Sequence, residues 1–181
     1  RQYQERFKFL KARLPSLDVA RITTRSEGVF PSLEYRVFFE TTGDDGKTHP
    51  ISPWHDVPLR NADGTYNAVI EIPKWSRAKF EIATGEALNP IKQDTKAGRL
   101  RDYVYGDMFT NYGAFPQTWE DPAHVTPETG AVGDNDPIDL VEIGSKQWAC
   151  GSIVRVKVLG VLALVDSGET DWKVITISAE D

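Results

Sequence analysis

Ser152–Ile177 reads SIVRVKVLGVLALVDSGETDWKVITI. Two runs of aliphatic and β-branched residues, Ser152–Val165 broken at Gly160 and Trp172–Ile177, flank a short polar stretch containing Gly168. That composition around a turn predicts a hairpin. Working outward, Glu34–Glu40 (EYRVFFE), Asn67–Ile72 (NAVIEI), Lys79–Ala83 (KFEIA) and Ile138–Ile143 (IDLVEI) carry the same strand signal, the first ending at the Gly/Asp turn of Thr41–Lys47. Residues 48–66, with three prolines and two histidines, read as surface loop, and residues 84–101 as polar and turn-rich. Residues 110–133 read as a long irregular loop with Pro116, Pro122 and Pro127, a length that is usually functional. A short helix over Tyr3–Arg13, ended by Pro15, is the one helical expectation. Many short strands with turn punctuation predict a mainly β chain, a closed or nearly closed β-barrel in one domain over residues 1–181.

Composition narrows the functions available. The chain has 181 residues, 40% hydrophobic and 27% charged, with a net charge of −6. No apolar run approaches the ~20 residues that cross a bilayer, so no membrane partner is expected. From the polar start Arg1–Glu5 no signal peptide is expected, and the lone Cys150 fits a reducing compartment. The acidic excess argues against non-specific nucleic-acid binding, which draws its affinity from Lys and Arg on phosphates. A phosphate substrate stays compatible if divalent cations lie between it and the carboxylates.

The strongest chemical feature is Asp134-Asn-Asp136-Pro-Ile-Asp139. Alternation in an extended chain puts Asp134 and Asp136 on one side, and a bend after Pro137 returns Asp139 toward them. Carboxylates roughly 4 Å apart repel by about 4 kcal/mol at an effective dielectric near 20. A fold tolerates that by protonating one or binding a cation, and oxygen-only donors suit Mg²⁺, Mn²⁺ or Ca²⁺ rather than zinc. The alternative is a solvated acidic turn. An EF-hand is excluded, because Asp139 stands where that loop needs glycine.

Two further clusters bear carboxylates. Asp166–Lys173 (DSGETDWK) places Asp166 and Asp171 at the ends of the hairpin, with Lys173 on the same side as Asp171; turn capping alone also accounts for such aspartates. Glu71, Lys79 and Glu81 are expected to face one another across a second hairpin, an arrangement equally open to a surface ion-pair reading. Arg101 follows a basic turn, and Tyr112 places a phenol in the long loop. His49, His55 and His124 lack partners at metal-ligand spacing, and no Walker-type glycine loop is present.

As a set these residues resemble the family I soluble inorganic pyrophosphatases of the eukaryotic branch. Asp134–Asp139 (DNDPID) is similar to the family signature, and Val69–Ile82 (VIEIPKWSRAKFEI), Asn111–Pro122 (NYGAFPQTWEDP) and Gly168–Ile175 (GETDWKVI) match in the same order, over a stretch from about Trp54 to Ile177. The resemblance implies an OB-like five-stranded β-barrel with the site at its mouth and long loops, and an N-terminal extension. It implies Mg²⁺-dependent hydrolysis of pyrophosphate, with several ions and Mn²⁺ as a substitute. Asp134, Asp139 and Asp171 would hold the first ion, Asp139 also the second, and Asp166, Asp171 and Glu81 those arriving with substrate. Asp136 would be the general base, Glu71 a supporting carboxylate, and Lys79, Arg101, Tyr112 and Lys173 the phosphate-contacting set. A homodimer in the cytoplasm, or in mitochondria, is expected on the same ground. A catalytically inactive, pyrophosphatase-like interaction subunit and an OB-type nucleic-acid module are the competing readings. Two departures stand out. Met108 occupies the place of a family tyrosine ahead of the Asn111–Ala114 motif, and the family's C-terminal helices and Tyr-Lys pair have no counterpart, so the domain is expected to be C-terminally incomplete.

Overall fold

Strand residues that alternate between two apolar environments need two cores, and this chain supplies both. The computed structural model describes residues 17–181; the helix expected over Tyr3–Arg13 lies outside them. A 3-10 turn, Val19–Arg21, is capped by the Asp18 carboxylate. It leads into β1 (Ile22–Glu27), β2 (Arg36–Thr42), β3 (Thr48–Ile51), β4 (Tyr66–Ile72), β5 (Phe80–Ile82), β6 (Ile91–Gln93), β7 (Thr95–Lys96), β8 (Arg99–Leu100), β9 (Asn111–Ala114), β10 (Asp139–Glu142), β11 (Ile153–Asp166) and β12 (Glu169–Ser178).

Five of these close on themselves as a barrel in the order β10-β12-β11-β4-β9, with β9 pairing back onto β10. The mainly β barrel read from the sequence is thus observed. All its pairings are antiparallel except β10 with β12. A second sheet, β1-β2-β6-β5 with β3 on β2, leans on the barrel, and β7 with β8 forms a separate ribbon. Ala68 and Ile70 of β4 join Phe115, Leu140, Val154 and Val156 in one core. Val69 and Ile72 join Val37, Phe39, Ile51, Phe80 and Ile91 in the other. The two sides of β4 therefore bind barrel and sheet together.

Three sequence expectations change here. The stretch 110–133 is not all loop, because β9 is a barrel strand between β4 and β10. Its residues lack strand propensity for a reason of packing. Asn111 is fully buried, its Oδ1 accepting from the N–H groups of Lys74 and Trp148 and its Nδ2 donating to Glu142 Oε2 at 2.7 Å. Gly113 lies so close to β4 that a Cβ there would collide with the Val69 carbonyl oxygen. Residues 48–66 are likewise not simply surface: β3 pairs with β2, and Ile51, Ser52, Asp56 and Val57 are buried. Pro50 is tolerated there because, among the described residues, β3 has β2 as its sole ladder partner. Third, β4 and β5 share no ladder; β5 pairs with β6, so the expected Glu71–Lys79/Glu81 hairpin is replaced by another link described below.

Candidate active site

The parallel pairing of β10 with β12 sets the geometry. Asp139, the first residue of β10, lies opposite Lys173 on β12 and opposite Ala114 on β9, two residues along from Tyr112. The Lys173 ammonium donates to Asp139 Oδ2 at 2.5 Å, the Tyr112 hydroxyl donates to the same oxygen, and Lys173 also reaches Asp171. Asp171 and Lys173 thus share a face, as period two requires. At the hairpin tip Asp166 pairs with Glu169, while Asp171 pairs with Leu164, so the two aspartates are not opposed as expected but lie at successive depths along the arm.

Glu71 arrives by a backbone irregularity. The register of β4 against β9 slips between Ile70 and Ile72, leaving Glu71 as the extra residue, and bulges re-aim side chains in this way. Its buried carboxylate accepts from the Ile82 N–H at 2.6 Å and ties β4 to β5. On β5's side, Lys79 reaches Glu81 at 3.3 Å and Asp94 at 2.9 Å, and Arg101 meets the same Asp94 oxygen.

Asp134 and Asp136 do not follow strand alternation. Asn135 has φ of 74°, the left-handed region that asparagine tolerates, and the Asp136 N–H donates to Asp134 Oδ1 at 2.9 Å. A local turn, not an extended segment, gathers them. The loop is carried to β12 by a parallel bridge from Gly133 to Thr170 and by the Thr170 N–H donating to the Val132 carbonyl.

Consequently residues far apart in sequence surround one cavity of about 280 Å³. Glu71, Lys79, Glu81, Tyr112, Asp134, Asp136, Asp139, Asp166, Asp171 and Lys173 all line it; Arg101 does not, and joins it through the Asp94 carboxylate shared with Lys79. A larger hollow beside Trp54, His55 and Trp119 has no carboxylate among the described residues of its lining.

The electrostatics follow from crowding. Burial, then the Asp139 charge, pushes Glu71 well above the ordinary carboxylate range. Asp139 is raised by burial against the opposing pull of Lys173 and Tyr112, and Tyr112 is pushed well up by burial and by Asp139. Around Asp136, loss of water and the charges of Asp134, Glu81 and Asp139 lift the carboxyl to about 6. Burial disfavours the Lys173 ammonium, yet Asp139 and Asp171 hold its pKa above the usual value. Asp136 differs from its neighbours in being lightly engaged, its side chain meeting Thr84 Oγ1 at 3.4 Å, whereas Asp139, Asp171 and Glu71 each accept at least one close bond.

A family model for inorganic pyrophosphatase matches residues 68–181. The inorganic pyrophosphatase of Bos taurus is 56% identical over 155 residues, 83% of this chain and 52% of that protein. The chain belongs to the inorganic pyrophosphatase family. Soluble inorganic pyrophosphatase 6, chloroplastic, from Arabidopsis thaliana is 51% identical over 162 residues, 89% of this chain and 52% of its own length. Among solved structures, an N-terminally truncated Trypanosoma cruzi vacuolar soluble pyrophosphatase in complex with PPi aligns with a TM-score of 0.83 at 50% identity, covering 88% of this chain and 65% of that one. The chain spans about half the length of the curated pyrophosphatases it matches.

Two residues of this pyrophosphatase chain escaped the sequence reading. Asp94, in the turn-rich text of 84–101, anchors both Lys79 and Arg101. Glu120, within Trp119-Glu-Asp-Pro, brings a carboxylate oxygen into a group with Asp134 and Asp171 whose ligand atoms all lie within 4.8 Å of one another. Burial, opposed by the Trp172 N–H and reinforced by Asp134, Asp139 and Asp171, pushes Glu120 to about 8. Met108 packs against the core, and its backbone pairs with Trp75 and Ser76. The metal-ligating atoms that line the cavity are oxygens, with more carboxylates than ammonium groups, and that donor chemistry fits hard divalent cations.

Proposed function

We propose that this chain carries the catalytic site of a Mg²⁺-dependent inorganic diphosphatase, hydrolysing pyrophosphate to two phosphates. The observation supporting this most directly is the convergence of Asp134, Asp136, Asp139, Asp166, Asp171, Glu71 and Glu81 on one cavity that also receives Lys79, Lys173 and Tyr112. A polyanion enters such a mouth only with cations to bridge it, and membership of the pyrophosphatase family supplies the substrate class.

Asp134, Asp139 and Asp171 would hold the first ion, with Asp139 shared by a second, and Asp166, Asp171 and Glu81 would serve ions arriving with substrate. Bound divalent ions supply a lowered pKa for water and polarisation of phosphoryl oxygens. The chain's own residues do the rest. Asp136, with a carboxylate left largely free of protein partners, accepts a proton from the attacking water. The water oxygen bonds to one phosphorus, the bridging P–O bond breaks, and its electron pair leaves with the departing phosphate. Lys79, Lys173, Arg101 and the Tyr112 hydroxyl stabilise charge on the phosphoryl oxygens. Glu71 holds the β4–β5 junction through Ile82 and adds negative potential behind the site. Mn²⁺ is expected to substitute, and a cytoplasmic homodimer is the proposed state, resting on resemblance.

Phosphate release from pyrophosphate by the full-length protein tests the reading. Turnover that needs Mg²⁺ and stops with chelator is expected. Release no greater than in the chelator control overturns it.

A further inference from the structure

Glu120 is a further point at which the two acidic segments are joined. Its N–H donates to the Asp136 carbonyl and its carbonyl accepts from the Asn135 N–H, both at 2.9 Å. Gly133 packs onto the same peptide, where a Cβ would collide with the Glu120 carbonyl carbon. On the other side Glu120 Oε1 accepts from the Trp172 N–H at 3.0 Å, next to Asp171. Backbone thus holds the 134–136 turn and side chain holds β12.

The second carboxylate oxygen has no such use. Among the described residues Oε2 is buried without a hydrogen-bond partner, in a residue only 6% exposed. A buried acceptor left unsatisfied is destabilising, and more so when charged. Nearby stand Asp134 and Asp171, whose ligand oxygens with that of Glu120 fall within 4.8 Å of one another. Three acidic oxygens drawn together, in a group whose Glu120 also buries an unpartnered carboxylate oxygen, are costly for a structural device. Such a grouping is what a hard cation's coordination sphere requires.

We propose that Glu120 belongs to the first cation site, with Oε2 serving the ion held by Asp134 and Asp171 either as a ligand or as acceptor for one of its coordinated waters. The proposal rests on the diphosphatase reading above and extends it, since the resemblance assigned that ion to Asp134, Asp139 and Asp171 alone. Glu120 also acts as a positioning residue, because the same carboxylate that serves the ion fixes the strand carrying Asp171.

The test is Mn²⁺ binding by electron paramagnetic resonance, without pyrophosphate, on the full-length protein and its Glu120→Gln and Asp134→Asn variants. In Glu120→Gln the side-chain amide oxygen still accepts from the Trp172 N–H, so the joint between loop and strand survives the substitution. Affinity for the tightest ion should fall about 10–100-fold in Glu120→Gln, the range seen when supporting groups of metal sites are altered. Unchanged affinity in Glu120→Gln, with Asp134→Asn weakened, overturns this proposal and leaves the diphosphatase reading standing. No Mn²⁺ binding by the unaltered protein overturns both. Should Glu120→Gln fail to fold, the unaltered protein crystallised with Mn²⁺ decides. An ion bonded to Oε2, or one water removed from it, sustains the proposal, and an Oε2 facing neither an ion nor its water refutes it.

Discussion

Two charged clusters sit side by side in this molecule and obey opposite electrostatics. Around Asp94, one carboxylate meets two cations, Lys79 and Arg101, and its pKa is lowered: burial works against ionisation, but the Lys79 bond and both positive charges prevail. At the mouth, Glu71, Glu120, Asp136 and Asp139 are all raised, by burial first and by one another's charges next, with Lys173 as the cation reaching Asp139 and Asp171. Asp94 is outnumbered by its cations, so this cluster keeps its carboxylate ionised and leaves positive charge to spare. The mouth carries a charge excess that the protein does not neutralise from its own side chains. That excess, more than any single motif, supports the proposal of divalent ions and a polyanionic substrate at this cavity.

The comparison is sharpened by changing one carboxylate in each region. Asp136→Asn should produce the largest effect, a fall in pyrophosphate turnover of about 10²–10⁴-fold for loss of a general base. Removing a charge from the crowded mouth should leave urea stability measured in chelator no lower than that of the parent. A variant that keeps its turnover removes Asp136 from the chemistry. Asp94→Asn should behave inversely, losing about 1–3 kcal/mol of stability because two cations lose their partner. Its Mg²⁺ affinity should stay unchanged while KM for pyrophosphate rises as Lys79 and Arg101 come adrift. Stability equal to the parent would show that Asp94 does not anchor the two cations.

The smallest effect concerns Glu86, held by Arg36 at 2.7 and 2.9 Å and by Lys92 at 3.2 Å, with its pKa lowered by those bonds. A carboxyl depressed in the fold adds stability at pH above its unfolded value, and that contribution disappears as pH falls through the folded value. Glu86→Gln should therefore lower stability at neutral pH by under about 1 kcal/mol, as partly exposed pairs do. The difference from the parent should vanish in acid. A constant difference across that range would break the assignment.

What could be read in advance follows the same division. The aspartates of 134–139 and 166–171 and the Glu71–Glu81 segment were legible because their chemistry lies in residue type and spacing, and so were the apolar strands β2, β4, β10, β11 and β12. Gly160 was legible too, since the β11–β12 register shifts between Val158 and Gly160. β9 was hidden because its strand rests on a buried amide at Asn111 and a close approach at Gly113, neither of which has a propensity signature. The bulge that aims Glu71 inward and the left-handed Asn135 that gathers Asp134 and Asp136 are backbone events; the expected hairpin gave the wrong geometry for the first, and alternation for the second. Glu120 was passed over because Glu-Asp-Pro in a proline-bearing stretch reads as turn chemistry. Only the folded chain brings Trp172 and Asp171 to it.

The central claim is that the mouth is built to be neutralised by divalent ions. The direct test is urea unfolding across a Mg²⁺ titration, comparing the full-length protein with an Asp134→Asn/Asp171→Asn double variant. Mg²⁺ should stabilise the parent by about 2.7 kcal/mol at a hundredfold excess over its Kd and leave the double variant flat. Equal stabilisation of both would contradict the account.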